Sequence, residues 1–382
     1  MRREATACWI AVLYTSIAGN LFVALSPMFW GGFVQYLQYS DERIGEIMSG
    51  EFFGATAATV AGILYMHRRG LNLRYVMYAA LSVYAVGNLL TPQMFGHPQG
   101  LRWIRVLCGL SSGTSYLAAA TAITGLGSPP RLVAMFYGAP FITGALLQPL
   151  MHSVFEHWGF GRTFLLIAAA SAASVALYTF FPRRADNREV AEQGGSIARA
   201  PILVGILAVA LLLQYIGNSG IWLFFERIGD ISGHPPQTVA NIVGIGTGMA
   251  LSGTWLSAML ANKLKPVVGI LWGTGIITVS SLALYFSSHL AVYAGSVAAF
   301  NAMITFLTPF YFILLVQIYS PAKAVIIGNI CLALGFAAGP LLIGYTVHGD
   351  QFSESVTATV VLFLISAALV VLFQFLHQEA KL

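Results

Sequence analysis

The sequence predicts an all-α membrane protein whose twelve transmembrane helices form two pseudo-symmetric six-helix bundles. Three observations predict it: a composition too apolar for a water-facing surface, repeated apolar runs of membrane-spanning length, and two equal halves about a polar centre. Of the 382 residues, 57% are hydrophobic and 9% are charged, and the mean hydropathy is +0.77. A soluble domain carries about 25% charged residues. Too few charges remain here to cover a surface in water, so the solvent is mostly lipid.

An α-helix rises about 1.5 Å per residue, so about 20 apolar residues cross the hydrocarbon core of a bilayer. Runs of that length fall at 7–36, 44–65, 73–95, 101–124, 131–155 and 161–181 before the polar centre. They resume at 201–225, 237–261, 266–287, 290–318, 322–347 and 355–376. A β-barrel would show alternating segments of about ten residues, and the sequence has no such pattern. The first run outlasts a signal-peptide core, so it reads as a retained span.

Residues 182–200, "PRRADNREVAEQGGSIARA", form the most polar stretch, and 1–182 and 201–382 are each 182 residues long. The expected organisation is therefore an N-terminal bundle (1–182), a cytoplasmic linker (183–200) and a C-terminal bundle (201–382), as from a duplicated unit. Internal echoes agree. "IAGN" ends at Asn20 and "YIGN" at Asn218, while "GAPFITG" carries Pro140 and "GPLLIG" carries Pro340.

Basic residues orient the chain. With the N-terminus inside, fourteen of the 19 Lys and Arg fall in inner segments. Only Arg43, Arg102, Arg162 and Arg227 fall outside, and Arg105 lies within a span. This bias predicts both termini in the cytoplasm; with no organellar address in the sequence, a bacterial inner membrane is the expected location. The net charge of +5 is then topological, and no nucleic-acid partner is expected. Cys8, Cys108 and Cys331 are scattered within spans without metal-ligand spacing, and neither metal nor cofactor is predicted. "GLSSG" at 109–113 matches a hydrolase pattern, but it sits in a membrane run where glycines four apart serve helix packing. No enzymatic motif is present.

The fourth run, "LRWIRVLCGLSSGTSYLAAAT", carries Leu101, Arg105, Gly109 and Gly113. In that pattern, and in its twelve runs, cytoplasmic ends and central polar loop, the whole chain resembles the major facilitator superfamily. The loop after the second run, "GILYMHRRG", keeps Gly62, Arg68 and Arg69 of that family's gating motif G-x-L-A-D-R-x-G-R-R but has Met66 at the acidic position. The corresponding loop of the second half, "AMLANK", has Asn262 there. Pro140 in the fifth run and Gly339-Pro340 in the eleventh match the family's glycine- and proline-rich helices. The resemblance implies alternating access by a monomer, with Gly62, Arg68, Arg69, Gly109, Gly113, Pro140, Gly339 and Pro340 in packing or gating.

Glu51 is the one charge between Ile47 and Met66. A charge at mid-membrane costs at least ~2.5 kcal/mol, which makes an intramembrane carboxylate a functional candidate. Glu51 falls about 10 Å and Arg105 about 6 Å inside the outer face by helical rise. Opposing effects of burial and a nearby guanidinium would let such a carboxyl bind and release a proton as a cavity opens. Glu51 and Arg105, with Glu226 as a further candidate, form the expected coupling set; a permanent structural pair is the alternative. Substrate contacts are expected from Asn20, Gln148, Asn218 and Asn301, since amides in lipid face an interior or a cavity, from Tyr116, Tyr137, Tyr215 and Tyr311, deep aromatics that suit a cavity for an apolar or aromatic solute, and from Arg105. Trp9, Trp30, Tyr36, Trp103, Trp158, Trp222 and Tyr319 lie near span ends, where aromatic residues anchor to the interface. Pro27, Pro140, Pro309 and Pro340 are expected to interrupt and kink their helices.

The function these features predict is secondary active transport of a small organic solute, apolar, aromatic or amphipathic, coupled to protons. Two other readings stay open: proton-coupled uptake of a small organic anion held by Arg105, and a non-transporting receptor or lipid flippase on the same fold.

Overall fold

The computed structural model describes residues 2–69, 72–125, 130–183, 201–349 and 351–379. The side chains of Arg68 and Arg69, and most of the linker expected at 183–200, lie outside the described residues.

The first half contains α1 (Arg2–Gly19), α2 (Leu21–Leu37), α3 (Asp41–Arg69), α4 (Leu73–Leu90), α5 (Pro98–Gly125), α6 (Pro130–Trp158) and α7 (Phe160–Ala173). The second contains α8 (Pro201–Ile231), α9 (Pro236–Leu260), α10 (Pro266–Ala283), α11 (Leu290–Ile318), α12 (Pro321–Thr346) and α13 (Ser353–Glu379). Among the described residues, eleven helical stretches are long and apolar enough to cross a membrane, with α1 and α2 counting as one. The chain is an integral, multi-pass membrane protein. The remaining helix, α3, has 29 residues but opens with Asp41, Glu42, Arg43 and Glu46 and carries Glu51 further in.

Local chemistry sets the helix ends. Proline occupies the first turn of α9, α10 and α12, where its fixed φ fits and its missing N–H costs nothing. The Asn72 side chain accepts the Arg74 backbone N–H at 3.1 Å and caps α4. Gln38 ends α2 in the left-handed region, φ 53°, with its N–H on the last carbonyls. Gly159 turns α6 into α7 at φ 87°, a conformation that only glycine adopts at no steric cost.

Two expectations change. The first apolar run is two helices broken at Asn20, whose amide donates to the Ser16 carbonyl at 2.9 Å. A short polar side chain bonding its own backbone offers an alternative to the helical ladder. By contrast, α2, α6, α11 and α12 run without interruption through Pro27, Pro140, Pro309 and Pro340. Packed neighbours and local adjustment satisfy the carbonyls that a membrane proline frees.

Glycine sets the closest helix approaches. Gly109 and Gly113 of α5 lie against the backbone of α3 at Glu51 and Ala55, and Gly54 of α3 lies against Val106 of α5. In the second half, Gly253 of α9 lies against the Ala302 carbonyl of α11. The α3–α5 and α9–α11 seams are thus built alike, with Gly54 matching Gly253 and Val106 matching Ala302. By that register, Arg105 corresponds to Asn301 and Glu51 to Ala250.

Candidate functional site

Glu51 on α3 and Arg105 on α5 meet in the interior, both 0% exposed. Arg105 Nε donates to Glu51 Oε2 at 2.7 Å, and Nη2 donates to the same oxygen. Nη1 donates to Asn88 Oδ1 of α4 at 3.0 Å and to Thr91 Oγ1 at 3.3 Å. The guanidinium carbon stands 3.8 Å from the Phe22 ring centroid of α2 and 5.8 Å from that of Phe164 on α7. A desolvated cation over an aromatic face gains about 2 kcal/mol. Tyr84 and Cys108, both fully buried, close the remaining sides. Arg105 thus ties five helices together, as its rigid fork of five donors permits.

Glu51 is less fully satisfied. Its Oε1 is buried and has no hydrogen-bond partner among the described residues. A buried charge is stable only when its partner and its remaining lone pairs are both answered. Here one carboxylate oxygen holds the arginine and the other is left as an acceptor. The matching positions in the second half, Ala250 and Asn301, carry no ion pair, and Asn301 donates within its own helix to the Val297 carbonyl at 2.9 Å.

Glu226 is not part of this cluster. It lies on α8, and its carboxylate fills the notch at Gly31 of α2, where a Cβ would collide with it. Its Oε2 is also buried without a hydrogen-bond partner among the described residues. Around it the two halves close on each other. Trp30 Nε1 donates to Asp41 Oδ1 at 2.8 Å, and the Trp30 ring meets Phe224 edge-on at 5.7 Å. Arg227 Nε lies 3.9 Å from Asp41 Oδ2, while Nη1 donates to Asp230 Oδ2 at 2.9 Å. Gly45 and Gly344 bring α3 and α12 backbone to backbone, and Tyr345 donates to Glu46 Oε1 at 3.0 Å.

Further contacts between the halves run down α3–α12 and α6–α9. Phe52 meets Phe336 at 5.8 Å, and Thr56 donates to the Ala333 carbonyl at 3.0 Å. Gln148 Nε2 donates to the Ala24 carbonyl and Gln148 Oε1 accepts from Thr247. Among the described residues, the polar and ring contacts between halves extend from the Asp41 end to about Thr56 and Ala333. The molecule is sealed at the end that carries the α2–α3 turn.

Gln148, Asn301 and Tyr311 are buried, and the Tyr311 hydroxyl bonds Ser366 Oγ at 2.8 Å. Tyr215 bonds Thr308 at 2.5 Å and stands 5.8 Å from Phe336. Asn218 Oδ1 accepts from Gln214, and its Nδ2 is buried without a partner among the described residues. Asn20 is occupied by its own helix. Tyr116 stacks on Phe136 at 5.2 Å, and Tyr137 is exposed. Trp30 and Trp222 correct the interfacial reading: Trp30 is fully buried on Asp41, and Trp222 packs on Phe336 at 5.9 Å. Trp103 and Trp158 are exposed, 70% and 56%.

Sequence reasoning missed Asp41, Gly31 and Arg227. Arg227 reads with Asp230 as an ordinary loop cluster, and a glycine that receives a carboxylate carries no signature of its own.

The long apolar helices, the glycine seams and the paired α3–α5 and α9–α11 packing make a polytopic α-helical protein, and its fold is the major facilitator fold. Solved structures bear this out. The nucleoside transporter NupG superposes with a TM-score of 0.73 at 12% identity, covering 98% of each chain. A D-xylose–proton symporter gives 0.72 at 14%, covering 96% of each. A bacterial homologue of the human lysosomal transporter Spinster, in an inward-facing and occupied conformation, gives 0.69 at 15%, covering 97% of this chain and 96% of that one. No family model and no curated relative matches the sequence.

Proposed function

We propose that the protein is a proton-coupled secondary transporter working by alternating access, with α3 as the twelfth span and the two halves as rocking six-helix bundles. The observation that carries this reading is the buried Glu51–Arg105 pair, with one unanswered carboxylate oxygen and no counterpart at Ala250 and Asn301. A scaffold pair would serve both halves equally, whereas a coupling site is needed once. Protonation of Glu51 removes its charge and weakens the tie between α3 and α5. The same helix carries Asp41, Gly45 and Glu46 into the sealed end, so a change at Glu51 reaches the closure through one rigid element.

The basic-residue bias supports placing the sealed end outside and both termini in the cytoplasm, which makes this the inward-facing state. Uptake of an anion on Arg105 has less support, because Glu51, Asn88, Thr91 and Phe22 already occupy its guanidinium. Neutral ring-bearing solutes are the better class, and nucleosides and pentoses, the solutes named for two structural neighbours, open the panel to be tested. The experiment is thermal unfolding of purified wild type and Glu51→Gln against that panel, at mildly acidic and mildly alkaline pH. A solute that stabilises wild type in a pH-dependent manner, with that dependence lost in Glu51→Gln, supports the coupling role. Equal, pH-independent stabilisation of both proteins removes it.

A further inference from the structure

A groove of about 610 Å³ opens between α4 and α7 at the sealed end of the molecule, lined by Gln93, His157, Trp158, Arg162, Leu89 and Leu165. Its walls are divided. Arg162, His157 and Gln93 offer polar groups, whereas Leu89 and Leu165 are exposed apolar side chains facing the surroundings of the helices. Four arginines sit at this end. Arg102 faces Glu46, Arg227 faces Asp41 and Asp230, and Arg43 lies over the Tyr39 ring. The Arg162 side chain has no carboxylate or ring partner among the described residues. An exposed tryptophan, Trp158, marks the level of the membrane interface.

A second hollow of about 230 Å³ lies deeper on the same α4–α7 seam, between Tyr78, Ser82 and Ala85 on one side and Ser171, Ala172 and Val175 on the other. Its hydroxyls are already spent on backbone carbonyls. Tyr78 donates to Ser174, Ser82 to Tyr78, Ser171 to Ile167 and Ser174 to Ser171. The hollow therefore presents carbon to an occupant and has little to hold a water. From Arg162 to Ser171 the helix climbs about 14 Å, a distance within the reach of a lipid acyl chain.

We propose that this seam binds one anionic phospholipid, with its phosphate at Arg162 and one acyl chain laid past Leu89 and Leu165 into the deeper hollow. A guanidinium recognises phosphate through paired, charge-assisted hydrogen bonds. The split between polar mouth and apolar seam matches a phospholipid and does not match a free phosphate.

The test is native mass spectrometry of the detergent-purified full chain titrated with dioleoylphosphatidylglycerol or dioleoylphosphatidylcholine, with soluble glycerol phosphate as competitor. Wild type is expected to bind the anionic phosphatidylglycerol several-fold more tightly than phosphatidylcholine, with no displacement by glycerol phosphate. Arg162→Gln is expected to erase that preference, with the thermal unfolding of the protein unchanged. Ala172→Phe, which fills the deeper hollow from its exposed side, is expected to weaken both lipids while keeping their ratio. Equal binding of the two lipids by wild type would overturn the proposal, as would a preference that survives Arg162→Gln. Displacement by glycerol phosphate would reduce the site to a free-anion site, and full lipid binding by Ala172→Phe would remove the acyl chain from the seam.

Discussion

At the scale of single residues, Glu51 and Arg105 decide whether the buried charge is scaffold or mechanism. Removing one member of a buried pair costs about 3–5 kcal/mol, because the other is left charged and unanswered, whereas replacing both by apolar residues is often neutral. Arg105→Met alone is therefore expected to lower unfolding stability by about that amount. The double variant Glu51→Met with Arg105→Met is expected to recover most of it and still fail to transport. Chemical denaturation and a transport assay on the same preparations check this, and recovery of both properties would make the pair structural. Arg105→Lys is expected to abolish function although it keeps the charge, since an ammonium cannot reproduce the fork that holds Glu51, Asn88 and Thr91. The sequence placed Glu51 and Arg105 in the outer half of the first bundle, on the second and fourth spans, but their contact was not legible, because it depends on how those helices pack. Asn88, Thr91 and Phe22 were not legible either, because their convergence depends on the rotation of each helix about its axis.

At the scale of helices, α3 joins the buried pair to the closure, packing on α5 along one side and on α12 along another. Its apolar run was readable, but its charged opening turn looked like the end of a loop. The opening turn is instead helical and forms much of the closure, with Asp41 under Trp30 and Gly45 against α12. The glycine seam to α5 was legible from its four-residue spacing, because only small residues let membrane helices approach so closely. A Cβ at Gly113 would stand 2.8 Å from the Ala55 Cα, and overpacking of this kind costs about 1–3 kcal/mol. Gly113→Ala is expected to lower the melting temperature measurably, while Gly205→Ala, inside α8 with nothing near its added methyl, does not lower it. The prolines taught the opposite lesson: their effect on a membrane helix is set by neighbours that the sequence does not place.

At the scale of the whole molecule, the apolar runs and the all-helical fold were legible because lipid leaves so few solutions for a backbone. The conformational state was not legible, since it depends on contacts between halves that are distant in sequence. Gly31 illustrates the point. It makes room for the Glu226 carboxylate, so Gly31→Val is expected to prevent closure at this end. Spin labels at Arg43→Cys and Gln351→Cys, in a background lacking Cys8, Cys108 and Cys331, report that separation. A longer distance than in the parent is the expected result, and an unchanged distance would show that the carboxylate relocates without opening the seal.

The account as a whole rests on protons moving with solute through Glu51. The most direct measurement is solute-driven proton movement in liposomes, read by a trapped pH-sensitive dye, for wild type and Glu51→Gln. The account predicts that at least one solute drives protons across with wild type, and that Glu51→Gln still exchanges this solute but moves no protons. Proton movement that persists undiminished in Glu51→Gln would contradict it.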